Sequence, residues 1–471
     1  MQQSDPAVRP NIVLINCDDL GYGDLGCYGS TMHDTPALDR MAREGVRFTD
    51  FYMPAAVCSP SRGAMMTGCY PPRIGFGWFD NRWVLLPGHA VGLNPREITF
   101  AKLLQQAGYT TKLVGKWHCG DQPPFLPTRH GFDEYFGLPY SNDMGMGVRA
   151  NDPPTRPPLP LMRNEDVVQE QPDQASLTER YVQESVEFLR ANRHRPFFLY
   201  LAHMYVHTPL FVPEVFMRQS RNRRYGAAVA SIDWAAGALL HELERLGLDK
   251  NTLVIFTSDN GSTRLNSNGG LRGWKGTTWE GGLRVPCIMR WPGKIPAGGE
   301  CRALTTAMDF YPTLAALGGA GLPDDRIIDG HDIRPLMFSG GRGESPYREF
   351  FYYMSNRLEA VRCGKWKLHV GKKRGKSYVE LKKLYDLEAD PAETCNLYER
   401  HPDIVAALSE KLAACREDLG DEATAAVGRN IRPIGRVANP DTLTHYAPDH
   451  PYIVAMYDAS DKDPIDNPPE A

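Results

Sequence analysis

Up to about residue 340, short runs dominated by apolar residues alternate with longer stretches of helical periodicity. Several of these runs are long enough for strands and show no regular alternation of apolar and polar residues: 11–16, 110–114, 196–202 and 252–257. Such runs are typical of parallel strands that are covered on both faces. The pattern therefore predicts a sheet whose central strands are fully buried.

Helices are predicted where periodic apolar positions lie between these runs, at 36–44, 99–107, 176–192 and 225–246. Ser176 and Glu179 have the spacing of a capping box, which marks a helix start. Gly247 is placed to end the longest helix. This alternation of strands and helices indicates an α/β fold with a large, mostly parallel central sheet flanked by helices.

After about residue 340 the pattern changes to short strand-like runs, at 350–354, 358–361, 366–370 and 384–387, followed by a helix over 402–416. We therefore predict a large domain at 1–340 and a smaller C-terminal α+β domain with an antiparallel sheet at 341–471. The tail beyond about residue 420 is predicted to run over the surface. The segment 144–175, rich in Pro, Arg and Met, is predicted to form a long loop.

Composition narrows the partners of the chain. Of its 471 residues 42% are hydrophobic and 23% are charged, and the net charge of −4 favours neither nucleic acid nor a membrane surface. No apolar run approaches the roughly 20 residues that span a bilayer. The N-terminus has neither a basic nor an apolar region of a signal peptide, so we expect a cytoplasmic protein, or a periplasmic or secreted one if a leader is missing. A homo-oligomer stays possible.

The chain has ten cysteines and no CxxC pair, which argues against a structural zinc site. We expect most of them to be free, buried thiols. Cys58 is the exception, because Pro60 suits the first turn of a helix that continues from it. A thiol at a helix N-terminus faces backbone donors that favour anions, so we expect a lowered pKa and a nucleophile. The alternative is a buried cysteine beside an ordinary helix start.

Each predicted strand is followed by residues that can bind a cation or an anion: Asp18 and Asp19, Lys116 and His118, His203 and His207, and Asp259 and Asn260. Taken alone, each pair could be a turn, a helix cap or a surface group. Ligands of open α/β sheets bind beyond the carboxyl ends of the strands, so the coincidence favours one shared site.

The carboxylate and amide oxygens of this set suit Ca²⁺ or Mg²⁺ better than zinc. Positive charge from Arg62, Lys116 and Lys275 would stabilise a multiply charged oxyanion beside the cation. The residues thus predict a hard-cation site that also binds an anionic ester.

The run Cys58-Ser59-Pro60-Ser61-Arg62, followed by Thr67-Gly68, matches the signature C-x-P-S-R-x-x-x-x-T-G. Further matching segments are 18–24, 115–118, 130–133, 258–261, 273–278 and 280–282. On these residues the chain resembles the sulfatase family of the alkaline-phosphatase-like superfamily, in the branch of arylsulfatase A and N-acetylgalactosamine-6-sulfatase. The resemblance implies a catalytic domain with a large central sheet and a smaller antiparallel domain.

The resemblance also implies roles. The metal ligands are Asp18, Asp19, Asp259, Asn260 and the modified Cys58, with calcium usual and magnesium an alternative. The catalytic residues are Cys58, Arg62, Lys116, His118, His207 and Lys275, and the sulfate- or substrate-contacting residues are Ser141 and, less directly, His203. Cys69 stands where the family usually has arginine.

The implied activity is hydrolysis of organic sulfate monoesters by a Cα-formylglycine made from Cys58. Its hydrate attacks sulfur with one hydroxyl, and the second hydroxyl lets the sulfated intermediate collapse. The implied partners are a small-molecule or glycan sulfate ester and a formylglycine-generating maturation enzyme. A carbohydrate (N-acetylhexosamine) exo-sulfatase, a phosphonate monoester or phosphodiester hydrolase, and a catalytically silent binding protein are the alternatives.

Overall fold

The computed structural model describes residues 9–146, 156–264, 267–374 and 377–452. Its strands are β1 (Asn11–Cys17), β2 (Val46–Phe48), β3 (Phe51–Tyr52), β4 (Val91–Gly92), β5 (Thr110–Gly115), β6 (Glu134–Gly137), β7 (Pro160–Arg163), β8 (Asp166–Glu170), β9 (Phe197–Ala202), β10 (Thr252–Ser258), β11 (Cys287–Arg290), β12 (Gly299–Cys301), β13 (Thr305–Thr306), β14 (Phe350–Met354), β15 (Arg357–Cys363), β16 (Trp366–Arg374), β17 (Ser377–Asp386) and β18 (Gly435–Arg436). Its α-helices are α1 (Pro36–Arg43), α2 (Cys58–Thr67), α3 (Phe100–Gln106), α4 (Leu177–Ala191), α5 (Glu214–Met217), α6 (Arg223–Arg245), α7 (Glu280–Leu283), α8 (Phe310–Gly318), α9 (Arg334–Phe338) and α10 (Pro402–Leu419).

A ten-stranded sheet forms the centre of the molecule, in the order β12-β2-β11-β10-β1-β9-β5-β6-β7-β8. The run from β10 through β1, β9 and β5 to β6 is parallel, whereas β11 and β7 pair antiparallel with their neighbours. The four strands predicted from apolar runs are therefore adjacent in the middle of the sheet. This confirms the predicted mostly parallel sheet.

Both faces of the sheet are covered because side chains of a strand alternate between the faces. On β1, Ile12 and Leu14 pack in one apolar cluster with residues of α2, α3 and α8. Val13 and Ile15 pack in the opposite cluster with residues of α1, α4 and α6. Helices thus shield both faces, as the absence of a polar face in the sequence predicts.

The predicted antiparallel sheet is present as β14-β15-β16-β17. Helix α10 packs against it through Leu408 and Leu412. The tail beyond α10 then returns to the large sheet's side of the molecule, where β18 pairs antiparallel with β4. Among the described residues, no helix is both long and apolar enough to cross a membrane.

Two local predictions are wrong. Ser176 does not cap α4, because its hydroxyl donates to Asp173 O and it lies in a preceding 3-10 turn that Asp173 caps. The segment 144–175 is not a continuous loop, since its described part contains the antiparallel pair β7–β8. Thr99, in contrast, caps α3 by accepting from Lys102 N at 3.0 Å.

Candidate active site

The carboxyl ends of four adjacent parallel strands bring the predicted site residues to one edge of the sheet. Asp18 and Asp19 follow β1, and Asp259 and Asn260 follow its neighbour β10. On the other side of β1, β9 leads to His203 and His207, and β5 leads to Lys116 and His118. Parallel register alone therefore explains why residues far apart in sequence meet here.

Helix α2 places Cys58 at this edge. The helix begins at Cys58 after an extended Val57, and each of its residues is buried. Cys58 Sγ lies 3.4 Å from Asp18 Oδ1 and accepts from Lys275 Nζ at 3.2 Å. The cysteine predicted from its helix-start position thus contacts both an acidic and a basic member of the predicted set.

Arg62, one turn along the same helix, ties α2 to two strand ends. Its Nε donates to Asp259 Oδ2 at 2.8 Å and its Nη1 donates to Lys116 O at 2.9 Å. The guanidinium is 1% exposed, and the only charge-paired partners near it among the described residues are Asp259 and, at 3.8 Å, Asp18. A buried arginine that holds two carboxylates fixes the position of Cys58 relative to them.

Lys116 is the second buried cation. Its ammonium donates to Asp18 Oδ2 and to Ser141 Oγ, the latter at 3.3 Å. Burial alone would raise the pKa of Asp18. The charges of Lys116, His207 and Arg62 outweigh burial and hold the pKa of Asp18 well below its usual range. Asp18 is therefore a carboxylate, and Ser141 shares the ammonium of Lys116 with it.

The acidic residues fit a hard divalent cation. Ligand atoms of Asp18, Asp19, Cys58 and Asp259 lie within 4.8 Å of one another, and all four residues are buried. Burial, and then the charge of Asp18, raise the pKa of Asp259 to about 6, a cost that a cation among the carboxylates would relieve.

Asn260 supports the same fit. Its Nδ2 donates to Asp19 Oδ1 at 2.7 Å, while its Oδ1 is buried and has no hydrogen-bond partner in the described parts of the chain. Buried amide oxygens are nearly always satisfied, so an unpaired one beside three carboxylates is suited to a metal. The oxygen atoms of the three carboxylates and of the Asn260 amide suit a hard cation better than zinc, which prefers nitrogen and sulfur ligands.

The expected lowering of the Cys58 pKa is wrong. Burial raises the pKa of this thiol, Asp18 raises it further, and Lys116 and Lys275 oppose the shift without reversing it. The helix start and the two lysines are outweighed because the thiolate would be desolvated beside carboxylates. Without a cation, the unmodified side chain is therefore a protonated thiol and a poor nucleophile.

His118 is positioned as a neutral imidazole. Its Nε2 lies 3.0 Å from Leu85 O, which can only accept, so Nε2 carries the proton and Nδ1 the lone pair. Burial and then the charge of Lys116 hold the pKa of His118 well below its usual range. Nδ1 is buried without a partner among the described residues, so its lone pair is available to accept a proton.

Lys275 and His207 complete the cluster from two further loops. Lys275 Nζ lies 2.7 Å from Asp19 Oδ1. His207 Nε2 lies 3.9 Å from Asp19 Oδ2 and 3.4 Å from Ser141 Oγ, while its Nδ1 contacts Thr208 O at 2.7 Å. The side chains of His207 and Lys275 are 13% and 15% exposed, so they form the solvent-facing side of an otherwise buried site.

His203 is the one predicted site residue that the structure directs elsewhere. Its Nδ1 accepts from Tyr205 N at 3.0 Å and its Nε2 lies 3.2 Å from Thr178 Oγ1. Burial lowers the pKa of His203 to about 3. Both nitrogens hold the chain together behind the site, so direct substrate contact by His203 stays a prediction without geometric support.

Several residues near the site have no signal in the sequence motifs. Leu85 acts through its backbone: its carbonyl sets the tautomer of His118, and its N–H donates to Ser59 Oγ at 3.1 Å. Arg432, in the C-terminal tail, places Nη2 3.4 Å from Cys69 Sγ and pairs with Glu97. A guanidinium thus does lie beside position 69, but it comes from a distant part of the chain.

Comparisons with known proteins show which family the chain is similar to. Residues 10–320 match the family model described as Sulfatase, and residues 272–418 match that described as N-sulphoglucosamine sulphohydrolase, C-terminal. N-acetylgalactosamine-6-sulfatase of Canis lupus familiaris is 42% identical over 381 residues, which cover 76% of this chain and 71% of that protein. Arylsulfatase A of Homo sapiens is 40% identical over 430 residues, which cover 82% of this chain and 83% of that protein.

A solved structure is similar over most of the fold. The crystal structure of Ps i-CgsB in complex with k-i-k-neocarrahexaose has a TM-score of 0.74 and 31% identity, and covers 86% of this chain and 92% of that chain.

Proposed function

The chain belongs to the sulfatase family and is a sulfuric ester hydrolase, and we propose that it cleaves organic sulfate monoesters with a nucleophile made from Cys58. The main support for Cys58 as the nucleophile position is that its Sγ contacts both Asp18, at 3.4 Å, and Lys275, at 3.2 Å. A nucleophile that touches both a metal-type carboxylate and a cation is suited to an anionic ester.

The raised pKa of Cys58 in the absence of a cation supports its conversion before catalysis, because a protonated thiol is a poor nucleophile. Oxidised to Cα-formylglycine, position 58 would supply an aldehyde hydrate, whose one hydroxyl attacks sulfur and whose other hydroxyl allows sulfate to be expelled. Cys58 is 1% exposed. We therefore propose that the formylglycine-generating enzyme reaches the segment before folding is complete.

Asp18, Asp19, Asp259 and Asn260 would hold the divalent cation, with calcium the first choice and magnesium the alternative. Such an ion would polarise a sulfate oxygen and stabilise the deprotonated hydroxyl at position 58. The three carboxylates already face three cations, Arg62, Lys116 and Lys275. A bound divalent ion would therefore leave the site net positive, which favours an anionic ester.

The remaining side chains divide the proton transfers. His118 has an available Nδ1 lone pair and is proposed as the base that removes the proton when the sulfated intermediate collapses. Lys275 and His207, on the solvent-facing side, are proposed to bind the sulfate group and to protonate the leaving oxygen. Ser141, between Lys116 and His207, is proposed to bind a sulfate oxygen.

Two tryptophans near Lys275 bear on the organic part of the substrate. The ring of Trp83 is 42% exposed and lies 3.7 Å from where a Cβ on Gly276 would lie. Trp274 directly precedes Lys275. Phe79 and Trp279 are buried in apolar clusters and are not available. The exposed ring of Trp83 and the half-buried ring of Trp274 are suited to stacking on an aryl group or a sugar ring.

We favour aryl or N-acetylhexosamine sulfates, since N-acetylgalactosamine-6-sulfatase and arylsulfatase A are among the similar proteins. The test compares kcat/KM of the matured enzyme for an aryl sulfate, a 6-sulfated N-acetylhexosamine, an aryl phosphonate and an aryl phosphodiester. The proposal expects a sulfate ester to be the best substrate. A higher kcat/KM for the phosphodiester or phosphonate would overturn it in favour of a phosphoryl hydrolase.

A further inference from the structure

The loop that carries Lys275 is held at its ends by the small antiparallel sheet. Before Lys275, Arg272 Nη1 donates to Glu393 O at 3.0 Å and to Tyr385 OH at 3.2 Å. After Lys275, Thr278 Oγ1 donates to Glu359 Oε2 at 2.6 Å. The loop therefore rests on residues that the sequence motifs of the site do not include.

Lys367 of β16 is the centre of these contacts. Its ammonium is fully buried and lies 2.9 Å from Thr278 O, 3.0 Å from Glu280 Oε1 and 2.8 Å from Glu393 Oε1. Glu393 in turn accepts from Glu280 N at 2.8 Å through Oε2. The Lys367 ammonium thus binds the carbonyl of Thr278 and the carboxylates of both Glu280 and Glu393.

The charges of this cluster make it dependent on Lys367. Burial would favour neutral Glu280, but Lys367 and Arg284 hold its pKa at about 2. Burial and the charge of Glu280 raise the pKa of Glu393 to about 7. Glu393 also has a positive φ of 55°, a conformation unfavourable for a residue with a side chain. Contacts around Lys367 therefore hold Glu393 in place.

We propose that Lys367, with Glu280 and Glu393, is a positioning group that fixes the Thr278–Glu280 end of the loop and so keeps Lys275 at the reacting centre. Only two residues separate Lys275 from Thr278. A displacement of the Thr278 backbone would therefore also displace the Lys275 ammonium, which lies 3.2 Å from Cys58 Sγ. Ser262 O and Ala56 O accept from the backbone at Lys275 and Gly276 and hold the middle of the loop. The small domain is thus part of the catalytic geometry through Lys367 without touching substrate.

The inference rests on the proposed role of Lys275, and a double-mutant cycle tests it in the matured enzyme. Lys367→Met combined with Glu393→Gln removes the cation and one of the carboxylates it neutralises, which limits the burial of unpaired charge. Displacing Lys275 by about 1 Å is expected to lower kcat/KM for an aryl sulfate by about 10- to 100-fold. In a Lys275→Ala background the same changes are expected to cost about twofold or less.

Lys112→Met is the matched control, because Lys112 is also buried between two glutamates, Glu184 at 2.9 Å and Glu134 at 3.1 Å. Its cost is expected to be the same with and without Lys275. Thr278→Val removes the hydroxyl contacts with Glu359 Oε2 and with His369 Nε2, the latter at 2.9 Å, and gives a second cycle if the first variant does not fold. Thr278→Ser is expected to restore activity. Each cycle can also be measured without turnover, with the affinity for inorganic sulfate determined by calorimetry in place of kcat/KM.

Equal losses in both backgrounds, in turnover and in sulfate binding, would overturn the positioning role of Lys367. The outcome is distinct from failure of the proposed function, which would show as absence of sulfate ester turnover in the unsubstituted, matured enzyme. Turnover in that enzyme with an additive cycle would reject the positioning role alone.

Discussion

Lys275 Nζ lies 3.2 Å from Cys58 Sγ, although 217 positions separate the two residues. The contact joins the start of α2 to a loop that follows β10. Lys275 Nζ also lies 2.7 Å from Asp19 Oδ1, so one ammonium links the nucleophile position to the proposed metal ligands. The catalytic account depends on this junction.

Loss of the Lys275 charge is expected to impair turnover much more than folding. Burial disfavours the ammonium, but the charges of Asp19 and Asp18 raise the pKa of Lys275 well above its usual value, so the charge persists at neutral pH. Lys275→Met is expected to lower kcat/KM for an aryl sulfate by about 10²–10³-fold, as for loss of one oxyanion-stabilising donor. Lys294→Met, at an exposed position, is the control and should be silent. A loss of less than tenfold would contradict the role of Lys275.

Removal of the Cys58 side chain is expected to abolish turnover and leave the fold intact. Cys58→Ala deletes one buried heavy atom, so the free energy of unfolding should fall by about 1 kcal/mol, as for other small deletions in a core. Chemical denaturation and sulfate ester turnover measure the two effects on the same sample. Cys119→Ala, another buried cysteine, should retain activity. Loss of folding in Cys58→Ala would mean that Cys58 is structural.

A divalent cation is expected to stabilise the protein through the cluster of Asp18, Asp19, Asp259 and Asn260. At a free concentration 100-fold above its Kd, an ion bound only by the folded state adds about 2.7 kcal/mol. Chelation should therefore lower Tm and remove activity, and calcium or magnesium should restore both. Asp18→Asn should show a much smaller shift in Tm. If chelator changes neither the Tm nor the activity of the unsubstituted protein, the result would contradict the metal site.

His130 predicts a specific sensitivity to acid. Burial lowers the pKa of His130 to about 4 from an ordinary 6.5, so the unfolded chain binds the proton first as pH falls. Stability from the neutral ring is therefore complete above pH 6.5 and is lost progressively down to about pH 4, by about 3 kcal/mol in total. Both ring nitrogens are buried without partners in the described parts of the chain, so His130→Phe should be tolerated. Between pH 6.5 and 4, the free energy of unfolding of this variant should change less than that of the unsubstituted protein. Identical pH profiles of the two proteins would contradict the lowered pKa of His130.

Much of the fold and of the site was predictable from sequence because the relevant signals are local. The four buried strands were visible as apolar runs, and β1 and β10 differ from the predicted ranges by a single residue at their ends. Parallel pairing then brings Asp18 and Asp259 together without further information. The cysteine signature located α2.

What sequence reasoning missed depends on burial and on distant contacts. The thiol pKa of Cys58 was predicted with the wrong sign, because desolvation and Asp18 outweigh the helix start. Arg432 beside Cys69 and Lys367 beneath Thr278 come from distant segments and have no motif. The capping box at Ser176 failed because Asp173 competes for the same turn.

The measurement that tests the central claim most directly is the mass of the peptide that contains Cys58, taken from purified protein whose specific activity on an aryl sulfate is known. We predict that residue 58 has lost its sulfur and is present as the aldehyde or its hydrate, in a fraction that rises in proportion to specific activity. A peptide that retains an intact thiol in a preparation with full activity would contradict the account.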